Sequence, residues 1–237
     1  MPDAAPPDLA TMLGEGELEV LGRMPWSSNG TFLVETCVDG HTARAVYKPH
    51  KGERPLWDFP SGLYVREVAS YELSHALGWE VVPLTILRQD APLGVGSVQR
   101  FVDADFEQHY FTMQDDEEHR DAFQKMCVFD ILSNNTDRKS GHVLVDADGH
   151  IWGIDNGLSF HQEFKLRTVI WEFGGEPIPG PLLDDVQALL DDGLPGAIIP
   201  LLDAFERDAI LTRARAVLAE KTFPVDTTGR RYPWPLV

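Results

Sequence analysis

Two turn signatures in the first fifty residues restrict the fold most. Ser27-Ser28-Asn29-Gly30 and Asp39-Gly40-His41 separate three short segments, Leu18 to Arg23, Thr31 to Val38 and Ala43 to Lys48, each carrying β-branched or aromatic residues. Asn-Gly and Asp-Gly accept positive φ at low cost, and reversals of this kind join antiparallel strands. Three antiparallel strands are therefore expected. A loop rich in Pro, Trp and Gly follows from Pro49 to Gly62, then a helical stretch from Leu63 to Leu77 that Gly78 stops. Val81 to Leu87 and Gly96 to Val102 read as two further strands. The sum is an antiparallel sheet with one helix inserted after its third strand.

The second half has a different pattern. Asp115-Asp116-Glu117-Glu118 suits the first turn of a helix, and Ala122, Phe123, Met126, Val128, Phe129, Ile131 and Leu132 mark that helix as buried. A polar loop, Ser133 to His142, leads to a tight hairpin in which Ala147-Asp148-Gly149 joins Val143-Leu144-Val145-Asp146 to His150-Ile151-Trp152-Gly153. After Asp155 the chain is irregular to Gly180, and Leu182 to Leu190 and Leu201 to Ala219 read as helices. The first sixteen residues show no sustained period and read as a loose arm. The expected organisation is α+β: a flexible arm over 1–16, a strand-rich lobe over 17–102 and a helix-rich lobe over 103–237.

Charge narrows the partners. Against 38 Asp and Glu stand 20 Lys and Arg, a net charge of −18 over 237 residues. Nucleic acid and anionic lipid are gathered by clustered cations, so neither is an expected partner, and any phosphate must be met by local groups. An apolar fraction of 43% is that of a folded chain. No apolar run approaches the ~20 residues of a membrane span, and the first residues lack a secretory pattern, so cytoplasmic residence is the expectation. Cys37 and Cys127 have no CxxC spacing and read as reduced core cysteines.

Chemistry concentrates in Asn134 to His142 and in Ile154-Asp155-Asn156-Gly157. Phosphoryl transfer needs one carboxylate to orient the attacking hydroxyl and another to hold the cation that bridges nucleotide phosphates. Asp137 and Asp155, 18 residues apart on either side of a hairpin, suit those tasks. Lys48 ends the third strand where an ammonium could reach phosphates, and Glu67, 19 residues on in the inserted helix, could anchor it; Glu53 and Glu72 are alternatives. Backbone amides of Ser27, Ser28, Asn29 and Gly30 could cover phosphate.

These residues resemble the phosphatidylinositol 3-/4-kinase-like branch of the protein-kinase-like fold, which includes small bacterial proteins of poorly defined substrate. The resemblance runs from Gly22 to Trp171 and takes in Ser27-Ser28-Asn29-Gly30-Thr31, Tyr47-Lys48-Pro49, Gly52-Glu53-Arg54-Pro55-Leu56-Trp57-Asp58-Phe59-Pro60, Arg66-Glu67, Asp137-Arg138 and Ile154-Asp155-Asn156-Gly157. It implies a two-lobed fold, Lys48 on the nucleotide phosphates, Asp137 with Arg138 as the catalytic-loop pair, and Asp155 as the metal aspartate. Gln99, Arg100, Phe101 and Val102 would form the segment facing adenine. Two departures stand out: His142 occupies the place of a second metal-binding Asn, and Asn156 that of the aromatic residue after the metal aspartate. Imidazole suits magnesium less well than oxygen does, which leaves manganese open.

The expected function is an ATP-binding phosphotransferase, dependent on Mg²⁺ or Mn²⁺, acting on a protein side chain or small soluble hydroxyl. A nucleotide-binding module with weak catalysis and an AMP transferase are the alternatives. Lys165 to Thr168, with Trp171, fall where such a protein keeps its substrate segment.

Overall fold

The computed structural model describes residues 6–25, 27 and 29–237. Helix α1 (Leu9–Glu15) comes first, where the lack of period predicts a loose arm. The correction has a local cause. Asp8 caps the helix by accepting the Thr11 amide at 2.7 Å, and Leu13 is buried completely against Leu18, Val34, Ala45 and Tyr47. Seven residues are too few to display a period.

Both expected hairpins form, and Asp39-Gly40 closes the second of them with positive φ at both residues. Strands β1 (Glu17–Arg23), β2 (Phe32–Val38), β3 (His41–Pro49), β4 (Thr85–Arg88) and β5 (Gly96–Arg100) form one sheet in the order β1-β2-β3-β5-β4, antiparallel at each pairing. Register assigns the faces. Phe32 pairs with Tyr47 and Val34 with Ala45, so these four share the face that packs on α1; Lys48, next to Tyr47, points to the other face. Cys37, expected in the core, is exposed on β2, while Cys127 is buried.

Helix α2 (Leu63–Ala76) follows β3 as expected. Val81 to Pro83 do not join a strand, because the Ser74 hydroxyl on α2 takes the amides of Val81 and Val82 at 2.9 and 3.2 Å. Ser74 is fully buried. Ser74→Ala would leave two buried N–H groups unpaired and is expected to cost about 2 kcal/mol, read as a lower urea midpoint with unchanged slope.

The chain divides into two compact units, one of Met1–Val68 and Pro83–Phe101, the other of Ala69–Val82 and Val102–Val237. The division falls inside α2. The second unit holds α3 (Tyr110–Met113), α4 (Arg120–Ser133), the hairpin β6 (Val143–Val145) and β7 (Ile151–Gly153), α5 (Gly180–Asp192) and α6 (Ala204–Glu220). Its core is centred on α4, where Phe123, Met126, Val128, Phe129 and Leu132 are fully buried with Phe160, Ile170 and Ile210. The acidic run sits one step earlier than expected: Asp116 caps a 3-10 turn (Glu117–His119) and α4 begins at Arg120. Among the described residues no helix is long and apolar enough to cross a membrane.

Candidate active site

In the first unit, strand parity turns Lys48 toward α2, where its ammonium bonds the Glu67 carboxylate. Glu67 is almost wholly buried, so this ion pair fixes the lysine in a defined place. Glu53 serves a different end: its two oxygens accept the amides of Gly62 and Tyr64, each at 2.9 Å, at the start of α2.

The Ser27–Gly30 turn differs from the expectation of an amide cradle. Gly30 donates its N–H to the Gly52 carbonyl at 2.8 Å, Asn29 Oδ1 accepts the Arg54 amide at 3.0 Å, and the Ser27 hydroxyl bonds that of Thr31 at 2.8 Å. Ser28 lies outside the described residues. A Cβ on Gly30 would come within 2.9 Å of Gly52 Cα, so two glycines are needed for this brace. The Gly30 amide is thus engaged within the protein.

The segment expected to face adenine is likewise partly engaged. Gln99 is buried with its amide donating to the Thr85 hydroxyl at 2.8 Å. Arg100 and Phe101 donate their N–H groups to the carbonyls of Leu84 and Arg44 at 2.8 and 3.2 Å, so these two amides are taken as donors. Val102 belongs to the second unit, packed with Leu144 and Trp152.

In the second unit α4 ends at Asn134, whose left-handed conformation (φ 54°) turns the chain into the polar loop. Its side chain donates to the carbonyls of His161 and Glu163 and accepts the Lys165 amide, organising the segment after the hairpin. The fully buried Arg138 governs the rest. Its guanidinium bonds both oxygens of Asp130 at 3.0 to 3.2 Å, Asn156 Oδ1 at 2.7 Å and the Ile154 carbonyl at 2.9 Å. A Cβ on Gly153 would meet that guanidinium at 3.1 Å, which explains the glycine. Asp130 also accepts the Thr168 hydroxyl at 3.2 Å. Burial pushes its pKa up, and Arg138 works against that. Arg138, expected in the catalytic set, has no exposed side-chain surface with which to touch a substrate. Its side chain ties the Asp137 loop to the segment after β7 that carries Asp155.

Asp137 is held by its amide, which donates to Asn135 Oδ1 at 2.9 Å, and by Lys139, whose ammonium lies 2.9 Å from its carboxylate. Burial raises the Asp137 pKa, Lys139 lowers it, and the charge of Asp155 raises it further. Asp155 adopts φ 56°, strained for a residue with a side chain, as is common where geometry serves function. His142 Nε2 lies 3.3 Å from Asp155 Oδ2, and His142 Nδ1 lies 2.9 Å from the Asp137 carbonyl. Because a carbonyl only accepts, Nδ1 donates its N–H there, and Nε2 is the ring atom that faces the Asp155 carboxylate. An imidazole nitrogen and a carboxylate oxygen are both ligand types for a divalent cation such as Mn²⁺.

Lys48 and Glu67 therefore meet in one unit, and Asp137, His142 and Asp155 converge in the other. Sequence reasoning missed Lys139, two residues after Asp137, and Asp130. A single carboxylate within the apolar run Val128-Phe129-Asp130-Ile131-Leu132 was the available signal for the second. The basic segment expected to meet substrate is partly structural: Thr168 is buried on Asp130, Leu166 is buried, and Arg167 pairs through its backbone with Asn135 and Arg138.

The family model of phosphatidylinositol 3- and 4-kinases matches residues 59–195. Protein Rv2133c of Mycobacterium tuberculosis is 39% identical over 265 residues, covering 96% of this chain and 95% of that protein. Phosphatidylinositol 4-kinase gamma 4 of Oryza sativa subsp. japonica is 28% identical over 185 residues, covering 61% of this chain and 31% of the plant protein. Among solved structures, the Helicobacter pylori proinflammatory kinase CtkA aligns with TM-score 0.52 at 13% identity, over 89% of this chain and 94% of its own. Hydra Fam20, solved with sugar, aligns with TM-score 0.56 at 11% identity over 89% and 87%. Both alignments establish a kinase-like fold. With over half of its length matched by one family model and a relative at 39% identity along nearly its whole length, the chain belongs to the phosphatidylinositol 3- and 4-kinase family.

Proposed function

We propose that this protein transfers the γ-phosphoryl group of ATP to a hydroxyl, with a divalent cation as cofactor. One observation carries the reading: the Asp155 carboxylate lies 3.3 Å from His142 Nε2 and close enough to Asp137 for its charge to raise the Asp137 pKa. Asp155 and His142 would hold the cation, which when bound offsets the charge of the nucleotide phosphates. Asp137 would accept the hydroxyl proton of the acceptor; its raised pKa makes it a better base than an exposed aspartate. Lys48, held by Glu67, would bond the α- or β-phosphate. The net charge of −18 disfavours an anionic membrane surface, so the acceptor is read as a protein side chain or a small soluble alcohol.

Incubation with α- or γ-labelled ATP and either Mg²⁺ or Mn²⁺ tests the proposal. Label leaving from the γ position only, in a reaction that Asp155→Asn abolishes, is expected. Transfer of the α label would make the protein an AMP transferase, and binding without turnover would make it a nucleotide-binding module. His142→Asn replaces imidazole nitrogen by a harder oxygen donor and should raise the ratio of Mg²⁺- to Mn²⁺-supported turnover. An unchanged ratio would remove His142 from the metal site.

A further inference from the structure

A second site lies within the first unit, on the sheet face away from Lys48. A pocket of ≈ 460 Å³ opens beside the start of β2 and the end of β3, with Phe32, Pro49, Pro92 and Leu93 as its apolar lining and Arg23, Lys51 and Arg54 around it. Parity separates it from the nucleotide lysine: Phe32 pairs with Tyr47, whose neighbour Lys48 points the opposite way to Glu67. The walls are braced. Gly30 N–H bonds the Gly52 carbonyl, the Arg54 amide bonds Asn29, His50 N–H bonds the Val95 carbonyl, and the Tyr47 hydroxyl bonds the Gly94 carbonyl.

The charge of this pocket is unlike that of the chain. Acidic residues outnumber basic ones 38 to 20, yet three cations and no carboxylate line it. Among the described residues Arg23, Lys51 and Arg54 are exposed and have no acidic side chain at ion-pair distance. The adjacent Glu53 spends both oxygens on amides at the start of α2. Three like charges gathered around one concavity repel one another, and an anion in their midst relieves that repulsion. The volume is that of a small-molecule site, and its apolar lining can receive a carbon skeleton between the cations.

We propose that this pocket binds a soluble, multiply charged phosphate compound, independently of the nucleotide. Inorganic tripolyphosphate is the probe, titrated calorimetrically into Lys48→Met protein so that the phosphate-binding lysine of the proposed active site does not contribute. One-to-one binding is expected, weakening as salt is raised. Lys51→Glu with Arg54→Glu should raise Kd about tenfold or more, whereas Arg215→Glu, an exposed charge in the other unit, should not. Retained thermal unfolding in each variant excludes a folding defect, and Lys51→Gln with Arg54→Gln gives the same test without introduced acid. Equal loss in the Arg215→Glu protein, or undiminished binding after Lys51 and Arg54 are both replaced, would overturn the proposal. So would binding to phosphatidylcholine vesicles doped with phosphatidic acid, through Lys51 and Arg54, by a protein that ignores tripolyphosphate. None of these readouts requires catalysis, so a failure of the phosphotransferase reading leaves this test intact.

Discussion

Asp137→Asn is expected to lower ATP-dependent phosphoryl transfer by about 10²–10⁴-fold while leaving nucleotide affinity within a factor of about two. The substitution keeps the shape of the side chain and removes its ability to take a proton. Its surroundings tolerate the change: the backbone stays fixed because the Asp137 amide bonds Asn135, and the flanking Arg138 residue pairs through its amide and carbonyl with Arg167 and Val169. Lys139 loses an anionic partner but retains partial access to water. Geometry is thus preserved while basicity is lost, and a fall in kcat without a matching change in KM for ATP is the signature of a group that acts on the acceptor. A variant that kept more than a tenth of wild-type turnover would show that the acceptor proton leaves by another route. A variant that lost nucleotide affinity as well would place Asp137 on the phosphate chain instead.

Which parts of this site could be read beforehand follows from the range of the forces involved. The β2–β3 hairpin was legible because Asp39 and Gly40 take positive φ (50° and 82°) and close its turn locally, and the inserted helix because Gly78, at φ 66°, stops it. Lys48, Asp137 and Asp155 were legible because chemistry restricts which residue types can serve. Misreadings arose where a distant group decides. The apolar run from Val81 looks like a strand, yet the Ser74 hydroxyl claims its first two amides. Gly30 looks open to phosphate, yet its amide is bound by Gly52, more than twenty residues away. Arg138 in a polar loop looks solvated, and only the fold reveals Asp130 facing it. The basic pocket has no local signature either, because its cations come from the end of β1 and the turn after β3, and their common position exists only once the sheet is paired.

Arg138→Met should destabilise the second unit by about 3–5 kcal/mol, the largest loss expected from any single substitution in the site. Methionine approximates the stem of arginine but leaves the buried Asp130 carboxylate without its counter-charge, and it withdraws donors from Asn156 Oδ1 and the Ile154 carbonyl. Burial already raises the Asp130 pKa against the pull of Arg138. Removing the guanidinium drives that carboxyl toward its neutral form, which limits the cost but does not replace three lost hydrogen-bond directions. Arg138→Lys should recover little, since one ammonium cannot reach Asp130, Asn156 and Ile154 in the planar arrangement that the guanidinium satisfies. Adding Asp130→Leu to Arg138→Met should return part of the stability, because no buried charge then lacks a partner. The double variant should nevertheless remain poorly active: Ile154 and Asn156 flank Asp155, and without the guanidinium they no longer fix that aspartate relative to the Asp137 loop. Urea denaturation of the four proteins measures the first effect, and turnover per folded molecule measures the second. A loss below about 1 kcal/mol in Arg138→Met would show that the pair is replaceable by packing alone, and full turnover in the double variant would show that the two aspartates keep their places without it.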